Sequence, residues 1–290
     1  MKKLSFIQRS SGSHWVGNGF PVRSIFSYND IHEEMSPFLL LDYAGPTHFP
    51  PTEMRRGVGQ HPHRGFETVT IVYDGEVEHR DSAGGGGLIG PGDVQWMTAA
   101  SGIVHEEYHG AAFARRGGPF EMIQLWVNLP AKDKMAPPGY QGITDAQIPR
   151  VELPAGAGLV RVIAGNYNGT QGPAHTFSPM NVWDVRVKAG QRAEFALPAG
   201  HTSALFILKG RLRLAGGETV QEAELAVMAR EGAELAFEAL EDTTLMLLGG
   251  QPTYEPIVGH GPFVMNTDAE IEQAFVDFQS GRMGQIAPAA

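Results

Sequence analysis

Two pairs of side chains stand out because their types and spacing suit metal binding. His61 and His63 form one pair, and His105 and Glu107 form the other. Both pairs have i, i+2 spacing on segments whose composition predicts β-strand, and in a strand such residues point to the same face. If the two faces meet inside a barrel, three imidazoles and a carboxylate converge. This ligand set is typical of a transition-metal site.

The carboxylate ligand is not decided by spacing alone. Glu67 lies four residues after His63, so strand periodicity places it on the same face as that histidine. Glu107 shares a face with His105 by the same argument, whereas Glu106 is expected to point away. Glu67 and Glu107 therefore remain alternative fourth ligands at this stage.

The other eight histidines show no comparable spacing, and we expect none of them to bind a metal. A histidine without such a pattern is more often a surface or hydrogen-bonded residue than a ligand. Among these eight, His48 and His109 are the least unsuitable. The eight are His14, His32, His48, His79, His109, His175, His201 and His260.

The composition describes the protein that must position these side chains. Glycine (37) and proline (20) make up about a fifth of the 290 residues, which predicts many turns and short strands. The length is sufficient for two domains. A chain without cysteine has no disulfide, thiolate ligand or cysteine nucleophile.

The charge and the hydrophobic pattern exclude other classes of partner. A formal net charge of −10 disfavours direct binding to nucleic acid, which requires a basic face. The sequence contains no apolar run of the length that a membrane helix needs, and its amino terminus does not resemble a signal peptide. We therefore expect a cytoplasmic protein that binds neither membrane nor nucleic acid directly.

The strand pattern of the first half recurs in the second half. Residues 69–79 and 204–214 both consist of a strand, a charged residue followed by glycine, and a returning strand, which indicates an internal duplication. When Gly210 is superposed on Gly75, no histidine of the second half falls opposite His61, His63 or His105. The second half is thus predicted to be a copy without a metal site.

One helix is predicted near the carboxyl terminus. Thr267 to Glu270 has the sequence of a capping box, and apolar residues follow at helical spacing, namely Ile271, Ala274, Phe275 and Phe278. Gly281 is suited to end this helix. Beyond Gly284 we expect no regular structure.

Several motifs of the chain resemble those of one protein family. They are HPHRGFET at 61–68, PGDVQWMTA at 91–99, GIVHEE at 102–107, QLWVNL at 124–129 and GPFVMNT at 261–267. The sequence between about residues 23 and 284 is similar to the pirin family of the cupin superfamily. The resemblance implies an all-β bicupin, in which two face-to-face jelly-roll β-barrels are accompanied by a short C-terminal helix.

The resemblance also implies domain boundaries and a ligand set. We place an N-terminal cupin domain with the metal site at 1–135, a linker at 136–150 and a metal-free C-terminal cupin domain at 151–290. The pirin motif makes His61, His63, His105 and Glu107 the metal ligands and leaves Glu67 with a structural or outer role. The implied cofactor is one divalent transition metal, with Fe²⁺ preferred and Mn, Ni, Cu and Zn as alternatives.

The implied activity is that of a quercetin 2,3-dioxygenase, which cleaves an aromatic, enolic flavonol with dioxygen. Glu107 would then be both ligand and catalytic base. Phe66, Trp96 and Met97 are candidates for an apolar substrate wall, although residues of these types more often pack in the core. A different hypothesis is a non-enzymatic regulator or redox sensor that acts through protein partners, and a third is a structural metal. We expect a monomer.

Overall fold

The computed structural model describes residues 1–10 and 12–286 and is built almost entirely from β-strands. We predicted no regular structure beyond Gly284. For residues 287–290 this prediction lies outside the part of the chain that the structure describes. In chain order the strands are β1 (Leu4–Arg9), β2 (Ser13–Val16), β3 (Phe20–Phe26), β4 (Phe38–Phe49), β5 (Gly57–His63), β6 (Phe66–Asp74), β7 (Val77–Asp81), β8 (Gly86–Ile89), β9 (Val94–Thr98), β10 (Ile103–His109), β11 (Gly118–Asn128), β12 (Gly139–Ile143), β13 (Arg150–Glu152), β14 (Gly158–Ala164), β15 (Asn166–Tyr167), β16 (Thr170–Gln171), β17 (Met180–Val187), β18 (Arg192–Ala196), β19 (Thr202–Lys209), β20 (Arg211–Leu214), β21 (Thr219–Gln221), β22 (Glu224–Met228), β23 (Glu234–Ala239), β24 (Thr243–Gly250), β25 (Val258–His260) and β26 (Phe263–Met265).

Helices are few and short in this part of the chain. The α-helices are α1 (His32–Met35), α2 (Ala111–Arg116) and α3 (Asp268–Gln279), and single 3₁₀ turns occupy Ala131–Asp133, Asp145–Gln147 and Pro154–Gly156. None of the helices found among the described residues has the length and hydrophobicity needed to span a bilayer.

The strands form two compact units, neither of which is continuous in sequence. The histidine unit comprises Gly12–Asp30, Phe38–Asp145 and Tyr254–Ala290, and the second unit comprises Met1–Ser11, Ile31–Pro37 and Ala146–Thr253. β1 belongs to the second unit because it pairs with β22, and β12, inside the predicted linker, pairs with β9 of the histidine unit. The domain boundaries expected from the sequence do not anticipate these two strand pairings, because pairing between strands that are distant in sequence cannot be read from local composition.

Both units have the same sheet topology. The histidine unit has sheets β12-β9-β6-β11-β4-β3-β2 and β5-β10-β7-β8, and the second unit has β1-β22-β19-β24-β17-β14-β13 and β18-β23-β20-β21. Strands β4 to β11 thus correspond, in order, to strands β17 to β24. The two duplicated turns contain Gly75 and Gly210 at φ +89° and +84°, a conformation that favours glycine. The predicted duplication and the predicted all-β fold agree with this topology.

The interior of the second unit is apolar where the histidine unit carries its histidines. β18 and β23 correspond to β5 and β10, and they contribute Phe195 and Phe237, whose rings stack at 5.9 Å between centroids. These rings belong to a buried cluster that also includes Trp183 and Leu247. Among the described residues, the groups of side chains suited to hold a metal ion lie in the histidine unit.

The predicted C-terminal helix is present as α3. The hydroxyl oxygen of Thr267 accepts a hydrogen bond from the backbone N–H of Glu270 at 3.3 Å, which is the first of the two bonds of a capping box. The Glu270 carboxylate accepts from the Thr267 hydroxyl at 2.9 Å and from the backbone N–H of Asn266 at 3.1 Å. Ile271 and Ala274 are buried, but Phe278 is 38% exposed. The buried stripe is therefore narrower than predicted.

A buried ion pair attaches α3 to the segment that follows the first histidine pair. The guanidinium Nη2 of Arg64 lies 2.8 Å from Oδ2 of Asp277, and its Nε donates to the carbonyl oxygen of Ser101 at 2.7 Å. The Arg64 side chain is only 4% exposed. Removing one partner of such a pair leaves an uncompensated buried charge, which is strongly destabilising.

We therefore expect Asp277→Ala to lower the free energy of unfolding by about 3 kcal/mol. Glu272→Ala, at an exposed position of the same helix, is the matched control and should change stability by less than about 0.5 kcal/mol. Chemical denaturation of both variants measures these values. Equal effects of the two substitutions would show that the Arg64 ion pair does not anchor the helix.

Candidate metal centre

The two predicted pairs lie on neighbouring antiparallel strands. In the pairing of β5 with β10, His105 is opposite His61 and Ile103 is opposite His63. The ring centroids are 4.9 Å apart for His61 and His63, 4.2 Å for His61 and His105, and 4.8 Å for His63 and His105. One ring nitrogen from each of the three histidines lies within 4.8 Å of the others, so these nitrogens can surround a single ion.

Hydrogen bonds of the first pair orient its ring nitrogens. Nδ1 of His61 lies 2.8 Å from the carbonyl oxygen of Gly59, and Nδ1 of His63 lies 3.3 Å from that of Pro262. A carbonyl oxygen can only accept, so each Nδ1 carries the proton and each Nε2 keeps its lone pair. Both rings are therefore in the tautomer that binds a metal through Nε2.

Burial favours the neutral forms of His63 and His105. The pKa of His63 is lowered well below 6.5 by burial first and then by the neighbouring His61. Burial, followed by the proximity of His61 and His63, likewise lowers the pKa of His105. A neutral imidazole is the form that coordinates a metal, so the site is prepared for an ion without prior loss of protons.

Glu107 is buried beside these histidines and is held by polar neighbours. Its Oε1 accepts from Nε2 of Gln95 at 2.9 Å and from the hydroxyl of Thr70 at 3.5 Å. A β-bulge lies between His105 and Glu107 in the pairing with β5. The carboxylate belongs to a second group of ligand atoms within 4.8 Å of one another, formed with His79 and His105.

His79, which we did not expect to bind a metal, also lies in this centre. It is fully buried on β7, its Nδ1 lies 3.4 Å from Nδ1 of His105, and its Nε2 lies 3.0 Å from Oδ2 of Asp81. His79 and Asp81 have the same i, i+2 spacing as the two predicted ligand pairs. That spacing was the signal available in the sequence. By contrast, His109 bonds to the carbonyl oxygen of Gly19 among aromatic rings, away from the three histidines.

A cavity of about 340 Å³ opens beside the histidines. Its polar lining is His61, His63, Glu107, Asp42 and Gln124. The apolar lining consists of Val16, Phe20, Val22, Val58, Met122 and Trp126.

The structure decides between the two roles considered for Phe66, Trp96 and Met97. All three are fully buried and do not line this cavity, so core packing, the role favoured by the sequence, applies to them. Phe66 stacks on Trp126 at 4.3 Å and contacts the ring of His63 at 5.1 Å. Phe66 therefore packs against two residues that line the cavity.

A row of polar residues crosses the large sheet of this unit. Strand register places Ser24 opposite Asp42, Asp42 opposite Gln124, Gln124 opposite Thr70 and Thr70 opposite Gln95. The hydroxyl of Ser24 donates to Asp42 at 2.5 Å, and that of Thr70 donates to Oε1 of Gln124 at 2.8 Å. Burial raises the pKa of Asp42, although the Ser24 bond opposes this shift. The row connects Gln95 and Thr70, which hydrogen-bond the Glu107 carboxylate, with Gln124 and Asp42, which line the cavity.

Two family models match the chain. The model described as Pirin matches residues 19–127, and the model described as Pirin C-terminal cupin domain matches residues 182–284. Together they cover more than half of the sequence. This chain belongs to the pirin family.

Individual relatives agree with this assignment. A Pseudomonas aeruginosa protein named "Putative quercetin 2,3-dioxygenase" is 61% identical over 282 residues, which are 97% of this chain and 98% of the relative. Human pirin is 35% identical over 97% of this chain and 93% of its own length. A crystal structure of quercetin 2,3-dioxygenase from Acinetobacter baumannii has a TM-score of 0.96 at 51% identity, covering 99% of this chain and 100% of that chain. The predicted two-domain cupin-type fold is thereby confirmed.

Glu67 of this pirin is fully buried, and its Oε1 accepts from the hydroxyl of Thr98 at 2.7 Å. It belongs to neither group of ligand atoms found in the described residues. Burial raises the pKa of Glu67 from 4.5 to about 7, against the opposing effect of its hydrogen bond to Thr98. A carboxyl group in this environment is adapted to the neutral form.

The raised pKa of Glu67 makes the stability of the metal-free protein depend on pH. The folded protein keeps the Glu67 proton up to about pH 7, whereas the unfolded chain releases it near pH 4.5. The free energy of unfolding therefore falls as the pH rises between these values, by about 3 kcal/mol for this group.

Glu67→Gln should remove this part of the pH dependence, because glutamine does not titrate. Denaturation of the metal-free wild type and the variant at pH 5 and pH 8 measures the difference. Glu53→Gln, at an exposed site, should retain the wild-type dependence. A Glu67→Gln variant with an unaltered dependence would contradict the assignment.

Proposed function

We propose that this pirin is a metal-dependent dioxygenase that cleaves the ring of a flavonol such as quercetin at a mononuclear centre. His61, His63, His105 and Glu107 are the proposed ligands, and Glu107 is also the proposed base. The observation that carries the proposal is the position of the largely apolar cavity, which has the Glu107 carboxylate and two of the three histidines in its wall.

The donor atoms suit a divalent transition metal. Nε2 of His105 is buried without a hydrogen-bond partner, which is costly for a polar atom unless another group satisfies it. The tautomers of His61 and His63 leave their Nε2 lone pairs unprotonated, as described above. Neutral imidazoles with a carboxylate suit iron(II), the preferred ion, and also manganese, nickel, copper or zinc.

A bound ion of this kind supplies Lewis acidity, which lowers the pKa of a coordinated hydroxyl, and a redox-active ion also promotes the reaction with dioxygen. The protein supplies the proton acceptor. Glu107 takes the proton of the enolic hydroxyl at its carboxylate, which the Gln95 amide holds in place by a 2.9 Å hydrogen bond. The orientation of this base is thus fixed before the substrate binds.

The cavity suits a flat aromatic molecule with several hydroxyl groups. A volume of about 340 Å³ lies in the range of small-molecule sites. Met122, Val58 and Trp126 provide apolar contacts and exclude water from the reacting ring. Asp42 and Gln124 provide hydrogen-bonding groups for peripheral hydroxyls of the substrate.

The alternative function, a regulator acting through protein partners, requires no cavity beside the histidines. The name of the family does not decide between the two functions, since human pirin carries only the family name. The lined cavity favours the enzyme.

The activity is tested with protein reconstituted anaerobically with iron(II) and then supplied with quercetin and oxygen. Loss of quercetin together with release of carbon monoxide is the expected result. His63→Ala should reduce the rate by at least about 100-fold, because one of three imidazoles that hold the ion is missing. His48→Ala, at an exposed position of β4, should retain the wild-type rate. No turnover by the wild type with any of the five metals would refute the proposal.

The role of Gln124 in the lining of the cavity is tested by Gln124→Leu. We expect the Kd for quercetin to rise about tenfold, as for the loss of one hydrogen bond, without a change in metal affinity. Fluorescence titration of the redox-inert zinc form measures the Kd without turnover. Gln279→Leu, at an exposed position of α3, is the control. An unchanged Kd in Gln124→Leu would place the substrate elsewhere.

A further inference from the structure

Two buried side chains outside the proposed ligand set, those of His79 and Asp81, lie on the strand next to His105. β7 pairs with β10 so that Asp81 is opposite His105 and His79 is opposite Glu107. The side chains of His79 and Asp81 are both 0% exposed. The ring of His79 also stacks on Tyr140 at 5.0 Å, which fixes the plane of the imidazole. The arrangement is rigid enough to fix which nitrogen of each imidazole carries the proton, and we call this distribution of protons the proton pattern.

The proton pattern starts at Asp81. Its Oδ1 accepts from the backbone N–H groups of Ala83 at 2.9 Å and Gly85 at 2.8 Å, while its Oδ2 lies 3.0 Å from Nε2 of His79. Burial alone would raise the pKa of Asp81, but the hydrogen bonds from His79 and from these amides lower it below its usual value. Asp81 is therefore a carboxylate, and the proton between it and His79 lies on Nε2 of the histidine.

Gln95 constrains the other nitrogen of His79. The Gln95 amide nitrogen donates to the Glu107 carboxylate at 2.9 Å, and the Tyr140 hydroxyl donates to the Gln95 amide oxygen at 3.4 Å, which together define the orientation of this amide. The same amide nitrogen lies 3.2 Å from Nδ1 of His79. Because an amide NH₂ only donates, Nδ1 of His79 has no proton. His79 is thus neutral and protonated at Nε2.

A neutral His79 determines the tautomer of His105. Nδ1 of His105 lies 3.4 Å from the unprotonated Nδ1 of His79, so it must be the donor in this contact. We infer that the chain Asp81, His79, His105 fixes His105 as the Nδ1–H tautomer and so presents its bare Nε2 to the metal. His79 and Asp81 are then positioning residues. This inference rests on the proposed metal site for its function, but the proton pattern exists without metal.

The substitution Asp81→Asn tests the chain with a nearly unchanged shape. The backbone N–H groups of Ala83 and Gly85 require an oxygen at the Oδ1 position, so the new NH₂ group must face Nε2 of His79. This amide donates where the carboxylate accepted, so the proton of His79 moves to Nδ1. There it faces the Gln95 amide nitrogen, which is also a donor, so the Gln95 amide must turn and present its oxygen to Nδ1. His105 must then accept at Nδ1 and carry its proton at Nε2, where a metal would bind.

The first readout is the long-range ¹H–¹⁵N spectrum of the imidazoles in metal-free protein, which distinguishes the two tautomers. We expect Nδ1–H for His105 in the wild type and Nε2–H in Asp81→Asn. The second readout is the affinity for zinc by competition with a chelator. It should fall about 10- to 100-fold in Asp81→Asn. Asp93→Asn, which also replaces a carboxylate that accepts two backbone N–H groups, should change neither readout.

His79→Phe is a second variant in case Asp81→Asn does not fold, which thermal unfolding would reveal. It keeps a ring against Tyr140 but removes the acceptor, so His105 should show both tautomers and a smaller loss of zinc affinity. An Nε2–H signal for His105 in the wild type, or a spectrum unchanged by Asp81→Asn, would overturn the inference. Zinc affinity that falls while the tautomer stays the same would also overturn it, because lost charge would then be the cause. A wild type with the inferred tautomers but no affinity for any metal would support the proton pattern and refute the proposed metal site instead.

Discussion

The register between β5 and β10 is the constraint on which the centre depends. It places His105 opposite His61, and strand alternation then turns His63 to the same side. A slip of one residue would move the side chains of one strand to the other face and separate the three rings. The bulge between His105 and Glu107 adds a local adjustment, since it changes the partner of Glu107 on β5 to Val58.

Segments distant in sequence hold the residues around His63 in place. The carbonyl oxygen of Pro262 accepts from His63, and Asp277 pairs with Arg64. Lys134 is buried and donates to the carbonyl oxygen of Gly65 at 2.7 Å, and burial lowers the pKa of this lysine to about 7. The His-Pro-His-Arg-Gly motif thus combines a proposed ligand pair with the contacts that fix it to the rest of the histidine unit.

The two units show how far the fold is independent of the chemistry. Their sheets have the same strand order, yet the strands corresponding to β5 and β10 carry Phe195 and Phe237 in the second unit. The same framework can therefore be filled by an apolar core or can hold a polar centre with a cavity. Function is decided by the residues at a few inward-facing positions, not by the topology.

The sequence by itself determined the features that depend on neighbours along the chain. Strand periodicity placed His61 and His63 on one face, turn residues marked the duplication, and the Thr267 capping box located the helix. Only the tertiary structure decided which side chains meet across strands. It brought His79 to His105 and made Trp126, rather than Trp96, a wall of the cavity. Local spacing fixes the face of a side chain, whereas its neighbours depend on the pairing and packing of strands that are far apart in sequence.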